Sequence, residues 1–522
     1  MQVIKDSKQH LFDLTAEQRD KVKEALTFDN PAYKQAKRYG RSKYIGIPPY
    51  LTYYNESSVS VGNDERKKVL SIPIGVNVYK LLNIPFTLDS VRDDRVEKDV
   101  KFPPFLLELR KDQEKAETEY MYEVCKKEYP KSIIQLPTGK GKSILALHIA
   151  QRLGQKTLIL VHKDDLVVGW QKDIKLCFGD DIEVGLIKAK SRKVGKQITI
   201  ATVQTLSRMS EEELNNFIYE FGFVVQDECH HVGLNIFNII DKFNSKYKLG
   251  LSATPKRTDG LNFVFDLFFG GLCYVHVVTE DDEDICGCDV RVLDSNYEYK
   301  PFVYGNQVFN YFDFNTEDLP SDLVFVEDLD YNDRPRVPFL TLDDQAVKSS
   351  KTKVVVCKKI IEHYKQGHSV LALFTQKEHI DLYYRYLCRY IPKEKIMLYY
   401  GDSKEKSEVM MKKAESKEVL VTLATYAKAV EGTNVKSWEV EFLVSSLNNE
   451  KNVEQAVGRI RRRKEGKIDP AIVYDVRYDN CYSLRSHYKN RFSVYKRLKF
   501  TIFDKNSESS TKKRGMFTRG YN

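Results

Sequence analysis

The chain has no apolar run of about 18 residues, the length a membrane-crossing helix needs, so no membrane span is expected. Its first residues, MQVIKDSKQHLFDL, lack the apolar stretch of a secretory leader. Cysteine is sparse, with nine among 522 residues. They are scattered apart from Cys286 and Cys288, and no nearby Cys or His pair completes a zinc set. No disulfide framework or zinc finger is expected; the thiols read as reduced and the protein as cytoplasmic. Neither sign of charge dominates. The 83 basic and 74 acidic residues leave a net charge of +9, which permits a polyanionic partner without requiring one. What is present is the composition of a globular protein, 42% hydrophobic and 30% charged. At roughly 150 residues per domain the length corresponds to about three domains.

Residues 1–100 stand apart. Asn30–Tyr54 reads NPAYKQAKRYGRSKYIGIPPYLTYY, with Lys34, Lys37, Arg38, Arg41 and Lys43 interleaved among Tyr33, Tyr39, Tyr44, Tyr50, Tyr53 and Tyr54. Gly40, Gly46, Pro48 and Pro49 break any long helix, so loop and short strand are expected here. Lys67–Leu82 reads as a strand leading into a short helix. Across residues 101–280 the apolar segments KSIIQL, KTLILV, QITIAT, FGFVVQ and YKLGLS alternate with amphipathic ones, the pattern of a parallel sheet with crossover helices. A second set follows across 281–503: CDVRVLD, SVLALFT, KIMLYY, EVLVTLA, EVEFLVSS and AIVYDV. An acidic, aromatic-rich segment at about 296–348 interrupts it as an insertion, and 504–522 reads as a flexible basic tail. The expected fold is α/β, two tandem parallel-sheet domains preceded by a small α+β domain.

Two segments carry chemistry. LPTGKGKS, Leu136–Ser143, follows an apolar strand and opens a helix, the setting a phosphate-binding loop requires. Glycines let backbone N–H groups wrap phosphates, and the helix start adds positive potential. Pro137, Thr138, Gly139, Lys140 and Gly141 form the loop, Lys142 reaches the β- and γ-phosphates of ATP, and Ser143 ligates Mg²⁺. The strict pattern wants glycine where Leu136 stands. In FVVQDECHH, Asp227 and Glu228 end a buried strand, where ligands bind in open α/β sheets. One carboxylate must hold the metal and a second must orient and deprotonate water, so Asp227 is assigned the first task and Glu228 the second. His230 is placed to sense the γ-phosphate.

With these anchors the chain resembles the superfamily 2 helicases of the DEAD/DEAH-like type over about residues 105–500. LRKDQEKA is similar to the adenine-recognition segment, with Gln113 on the base edge. LVHKDDLVVGW (Leu160–Trp170) looks like motif Ia. ATVQTL resembles the strand end that touches the nucleic-acid backbone through Thr202 and Gln204, and LFTQ resembles motif IV, with Thr375. LSATPKRTDG matches the motif in which Ser252 and Thr254 couple hydrolysis to motion. TYAKAVEGTNV resembles motif V around Gly432 and Thr433, with Asn434 where relatives often carry Asp. QAVGRIRR matches motif VI, with Gln455, Arg459 and Arg462. The resemblance implies two RecA-like domains, ATP and Mg²⁺ as cofactors, and movement along one strand as the domains close and open. Arg459 and Arg462, three apart, are expected on one helix face, where closure makes them arginine fingers.

The wording of these motifs, and the NP…GR…IPPYL…Y leader, look most like the XPB group and the phage and viral UvsW-type helicases. That resemblance implies branched or duplex DNA as substrate, replication or recombination proteins as partners, and the host cytoplasm as location. In the N-terminal domain Lys37, Arg38, Arg41 and Lys43 are expected to grip phosphates beside tyrosines that touch bases or sugars. Two alternatives stay open: an RNA helicase, whose motor fold is alike, and the motor subunit of a restriction complex, whose nuclease a partner would supply.

Overall fold

The computed structural model describes residues 1–38, 46–60, 66–137, 139–231, 239–253, 255, 257, 260–276, 285–305, 307–313, 319–320, 323–330, 334–335, 337–401, 407–429 and 435–504. The chain forms two compact units, Met1–Val277 and Val278–Asn522.

Among the described residues the first unit opens on seven strands: β1 (Gln2–Lys5), β2 (Lys8–Phe12), β3 (Thr27–Asp29), β4 (Tyr50–Thr52), β5 (Asn55–Ser60), β6 (Arg66–Pro73) and β7 (Val91–Asp93). Five form one sheet in the order β5-β6-β2-β1-β7, while β3 and β4 pair separately. In β2 the burial alternates residue by residue, as a strand with one face on a core must. The run Asn30–Tyr54 departs from the expected loop, because Pro31–Arg38 is a helix. Pro31 sits at its first position, where a missing N–H costs nothing. The Asn30 carboxamide oxygen accepts from Ala32 N–H at 3.0 Å.

Next come β8 (Ile133–Gln135), β9 (Thr157–Val161), β10 (Val184–Lys188), β11 (Ser191–Lys193), β12 (Ile198–Thr202), β13 (Phe223–Gln226), β14 (Tyr247–Ser252) and β15 (Leu272–Val275). They form one sheet in the order β11-β10-β12-β9-β13-β14-β8-β15. All its pairings are parallel except β10 with β11. Every residue of β9 and β12 is buried, the continuous apolar signature of a strand covered on both faces. The boundary expected near residue 100 marks a change of sheet but not of core. Val3, Leu11, Leu70 and Ile72 of the N-terminal sheet pack in one cluster with Ile133, Leu158 and Phe265.

The second unit holds β16 (Cys288–Asp294), β17 (Pro301–Tyr304), β18 (Gln307–Asn310), β19 (Val324–Phe325), β20 (Val370–Phe374), β21 (Ile396–Tyr399), β22 (Val421–Thr425), β23 (Val440–Leu443), β24 (Ala471–Arg477) and β25 (Thr501–Phe503). Its main sheet is parallel, in the order β21-β22-β20-β23-β24-β16-β25. The insertion expected at 296–348 contains a small sheet, β18-β17-β19, and the helix Phe339–Lys348. The closing helix Tyr482–Arg497 is locked to β24 by a buried pair, with Arg491 Nη2 2.7 Å from Asp475 Oδ1 and Tyr495 donating to Asp475 Oδ2 at 2.8 Å.

Candidate active site

Strand order sets the site of the first unit. β13, β14 and β8 lie side by side, although β14 starts 112 residues after β8 ends (135 to 247). The three segments that follow them, DECH, the start of LSAT and LPTGKGKS, therefore meet at one edge of the sheet.

The loop after β8 turns through Gly139 (φ 92°) and Gly141 (φ 67°), left-handed positions that favour glycine. Gly141 opens the helix Lys142–Leu153. A Cβ on Gly141 would stand 2.6 Å from Gln113 Nε2. Gln113 is buried and clamps the loop, its amide donating to Lys140 O at 3.1 Å and Gly141 O at 3.0 Å. Its own carbonyl accepts from Arg110 N–H at 2.9 Å. Leu136, in place of the usual glycine, sends its side chain into the core. Pro137 is half-buried. Lys140 is buried, with Nζ 3.4 Å from Asp112 Oδ2. Thr138 lies outside the described residues.

Lys142 Nζ stands 3.4 Å from Glu228 Oε1. Glu228 takes a left-handed backbone, φ 45°, which costs a non-glycine residue about 1–3 kcal/mol and is typical of functional sites. Its Oε2 is 3.3 Å from His230 Nδ1, which in turn is 2.6 Å from Ser252 Oγ. Asp227 is buried. Its Oδ1 accepts from Glu228 N–H at 2.9 Å and its Oδ2 from the Trp170 indole N–H at 2.9 Å. Burial and the neighbouring Glu228 carboxylate push the Asp227 carboxyl above its usual range, opposed by Trp170 and Lys142. Ser143 donates its hydroxyl to Asp173 Oδ2.

The residues expected on nucleic acid are less gathered. Thr202 is buried, its hydroxyl 2.7 Å from that of Thr205. Gln204 is exposed and donates to His162 O. In the second unit the Thr375 hydroxyl donates to buried Asp343 at 2.8 Å and lies 3.1 Å from Ser445 Oγ. Lys37 and Arg38 are exposed at the end of their helix. Tyr53 belongs to the core, edge-on to Phe263 at 5.6 Å and Phe268 at 6.2 Å, whereas Tyr50 is exposed. Arg41, Lys43, Thr254, Gly432, Thr433 and Asn434 lie outside the described residues.

Gln455 and Arg459 share a face of the helix Glu450–Ile460, and both are buried. Arg462 does not join them, because the helix ends at Ile460. The backbone there turns to pair with another strand: Cys286 N–H donates to Arg461 O at 2.7 Å, and Ile285 bridges Arg462. Lys467 Nζ donates to Ile460 O, and to Arg462 O at 2.9 Å, so a side chain satisfies carbonyls that another helical turn would have used. Glu441, which interacts electrostatically with Arg459, is wholly buried, and among the described residues neither of its carboxylate oxygens is hydrogen-bonded. Burial pushes its carboxyl up to about 8, against the pull of Arg459.

Residues 106–257 match the family model described as Type III restriction enzyme, res subunit. A probable helicase, D10, of Escherichia phage T5 is 26% identical over 344 residues, 65% of this chain and 66% of that protein. A protein of Acanthamoeba polyphaga mimivirus, provisionally named an ATP-dependent RNA helicase, L396, is 23% identical over 392 residues, 71% of this chain and 64% of that one. The DNA 3′-5′ translocase XPB2 of Sulfurisphaera tokodaii is 25% identical over 424 residues, 77% of this chain and 86% of that one. These likenesses support a superfamily 2 helicase. The chain spans just under two thirds of the length of the first two relatives.

Helicases of this superfamily are ATP-hydrolysing enzymes that act on nucleic acid, and the first unit of this chain fits both ATP and Mg²⁺. A glycine loop at a helix start offers N–H groups to phosphates. Ser143 and Asp227 offer hard oxygen donors, and a Mg²⁺ site typically takes one or two carboxylates together with substrate phosphates. Burial, with the Glu228 carboxylate beside it, raises the Asp227 carboxyl, an imbalance a divalent cation would relieve. Sequence reasoning missed two residues of this site, Trp170 and Asp173. They lie three apart on the helix Asp164–Phe178 and reach Asp227 and Ser143 respectively. The signal was available in principle, since i and i+3 side chains share a helix face. Nothing in sequence said which partners that face would meet. No helix among the described residues is long and apolar enough to cross a membrane.

Proposed function

We propose that this chain is an ATP-dependent DNA translocase or helicase that remodels branched or duplex DNA in phage or viral replication, recombination or repair. The observation that carries the ATPase reading is the meeting of Lys142, Asp227, Glu228 and Ser252 at the adjacent ends of β8, β13 and β14. Lys142 binds the β- and γ-phosphates. Glu228 orients the attacking water and takes its proton. Ser143 and Asp227 would hold Mg²⁺, which supplies Lewis-acid stabilisation of phosphate charge when bound. His230, linked to Glu228 on one side and Ser252 on the other, passes the state of the γ-phosphate to the segment after β14. Arg459 adds positive charge to the transition state. Gln113 reads the adenine edge from a position where it also clamps the loop.

DNA as substrate is favoured by the name of the Sulfurisphaera relative and by the basic, tyrosine-bearing N-terminal segment. Exposed Lys37 and Arg38 suit phosphate contacts there. The mimivirus relative's name favours an RNA helicase as a second reading, and the matched family model favours a restriction-complex motor. One comparison separates them: ATPase stimulation by single-stranded DNA, duplex, fork, four-way junction and RNA. Strongest stimulation by forks or junctions is expected. Strongest stimulation by RNA overturns the DNA assignment, and no stimulation by any nucleic acid overturns the motor reading.

A further inference from the structure

A cavity of about 60 Å³ opens at the amino ends of β8 and β14, the edge of the first parallel sheet opposite the phosphate-binding loop. It lies between β1, the turn after β7 and the end of the helix Lys111–Lys126. Five cations line it, Lys5, Arg95, Lys127, Lys246 and Lys248, against one carboxylate, Glu128. Most are accounted for. Lys5 pairs with Glu128 and lies 4.0 Å from the centre of the Tyr129 ring. Lys127 pairs with Glu123. Arg95 and Lys246 share the single carboxylate Asp93, at 2.7 and 2.9 Å.

Lys248 is the exception. It is 8% exposed, and among the described residues its Nζ has no hydrogen-bond partner. A buried ammonium without a partner is costly, and cores normally avoid it. Burial pushes this one down to about 8, against the pull of Asp241. A methionine would fill the same volume without that cost. With Asp93, Glu123 and Asp241 counted beside Glu128, and Lys8, which pairs with Asp241, counted beside the five lining cations, six cations face four carboxylates, an excess of two positive charges. A dianion of small volume matches that excess, and the guanidinium fork of Arg95 suits a tetrahedral oxyanion.

We propose that this cavity binds a phosphate group, with Lys248 as its central ligand and Arg95 and Lys246 flanking it. The group is either free phosphate or the terminal phosphate of a polynucleotide. The site is separate from the nucleotide loop, which lies at the other end of β8.

The test uses the full chain carrying Lys142→Ala, which silences the nucleotide loop, with and without Lys248→Met. Inorganic phosphate is titrated calorimetrically at constant ionic strength, and oligonucleotides with and without a 5′-phosphate are compared by competition. Phosphate affinity at least tenfold weaker in the Lys248→Met chain is expected. A preference for the 5′-phosphorylated strand that Lys248→Met removes supports the polynucleotide source; phosphate binding without that preference supports the free anion. Equal phosphate affinity in the two chains, or no phosphate binding in the Lys142→Ala chain, overturns the site. Should Lys248→Met fail to fold, Arg95→Gln takes its place in the same comparison.

Discussion

Replacing Trp170 by phenylalanine removes one N–H and keeps most of the apolar ring. The lost contact is the 2.9 Å bond to Asp227 Oδ2, inside a site where Asp227 is buried. A hydrogen bond to a charged group contributes about 1.5–3 kcal/mol. At about 1.4 kcal/mol per tenfold, its loss raises the proton affinity of Asp227 by roughly 10- to 150-fold. The carboxyl already sits above its ordinary range, so the variant holds a proton there at neutral pH in a larger share of molecules. Protons and Mg²⁺ compete for the same oxygens. ATPase at limiting Mg²⁺ and pH 7 should therefore fall by one to two orders of magnitude, and raising Mg²⁺ or moving to pH 8.5 should restore much of it. The assay is a Mg²⁺ titration of turnover at the two pH values, wild type against Trp170→Phe. An unchanged Mg²⁺ dependence, or a loss equal at both pH values, refutes the link between the indole and the metal-binding carboxylate.

Lys142→Ala and Glu228→Gln should both abolish turnover, but only Glu228→Gln should retain tight ATP binding in a filter or fluorescence assay, because Lys142 holds phosphate while Glu228 acts on water. Arg459→Ala should lower turnover about 10³-fold or more with a much smaller change in nucleotide affinity, the signature of charge acting in the transition state; equal losses in both would make it a ground-state contact. Neutralising Lys37, Arg38, Arg41 and Lys43 together should weaken fork binding and flatten its salt dependence by up to ~0.9 log unit per lost phosphate contact, leaving ATPase at saturating single-stranded DNA intact; an unchanged slope would make this segment a structural cap. Glu441, whose carboxyl is held up to about 8 by burial, ionises in the unfolded chain near its ordinary value but not in the fold. Stability should therefore fall as pH rises from about 4.5 to about 8, with a slope of about 1.4 kcal/mol per pH unit from this group, and Glu441→Gln should remove that slope in denaturant melts across the range.

The sequence by itself determined the motif loops and most of the strands. A run such as TLILV or ITIAT reads as a buried strand because its apolar character is local and continuous, and both are fully buried here. Gly139 and Gly141 are legible for the same reason, since a left-handed turn before a helix is a demand made within a few residues. Local signals misled where a short element sat between breakers. Pro31–Arg38 was hidden by the glycines and prolines that follow it, although Asn30 and Pro31 are a helix start. Arg459 and Arg462 have helical spacing, but the backbone partner at Cys286 comes from 175 residues away and ends the helix between them. Only tertiary structure decided which strands adjoin: β14 enters between β13 and β8, and that order brings Ser252 and His230 to Glu228. It also turned Trp170 and Asp173 toward the site and buried Lys248 beside Arg95. Periodicity reports which face of an element avoids water, because that preference is carried residue by residue. Which groups the face then meets depends on contacts between distant segments, and no spacing along the chain encodes them.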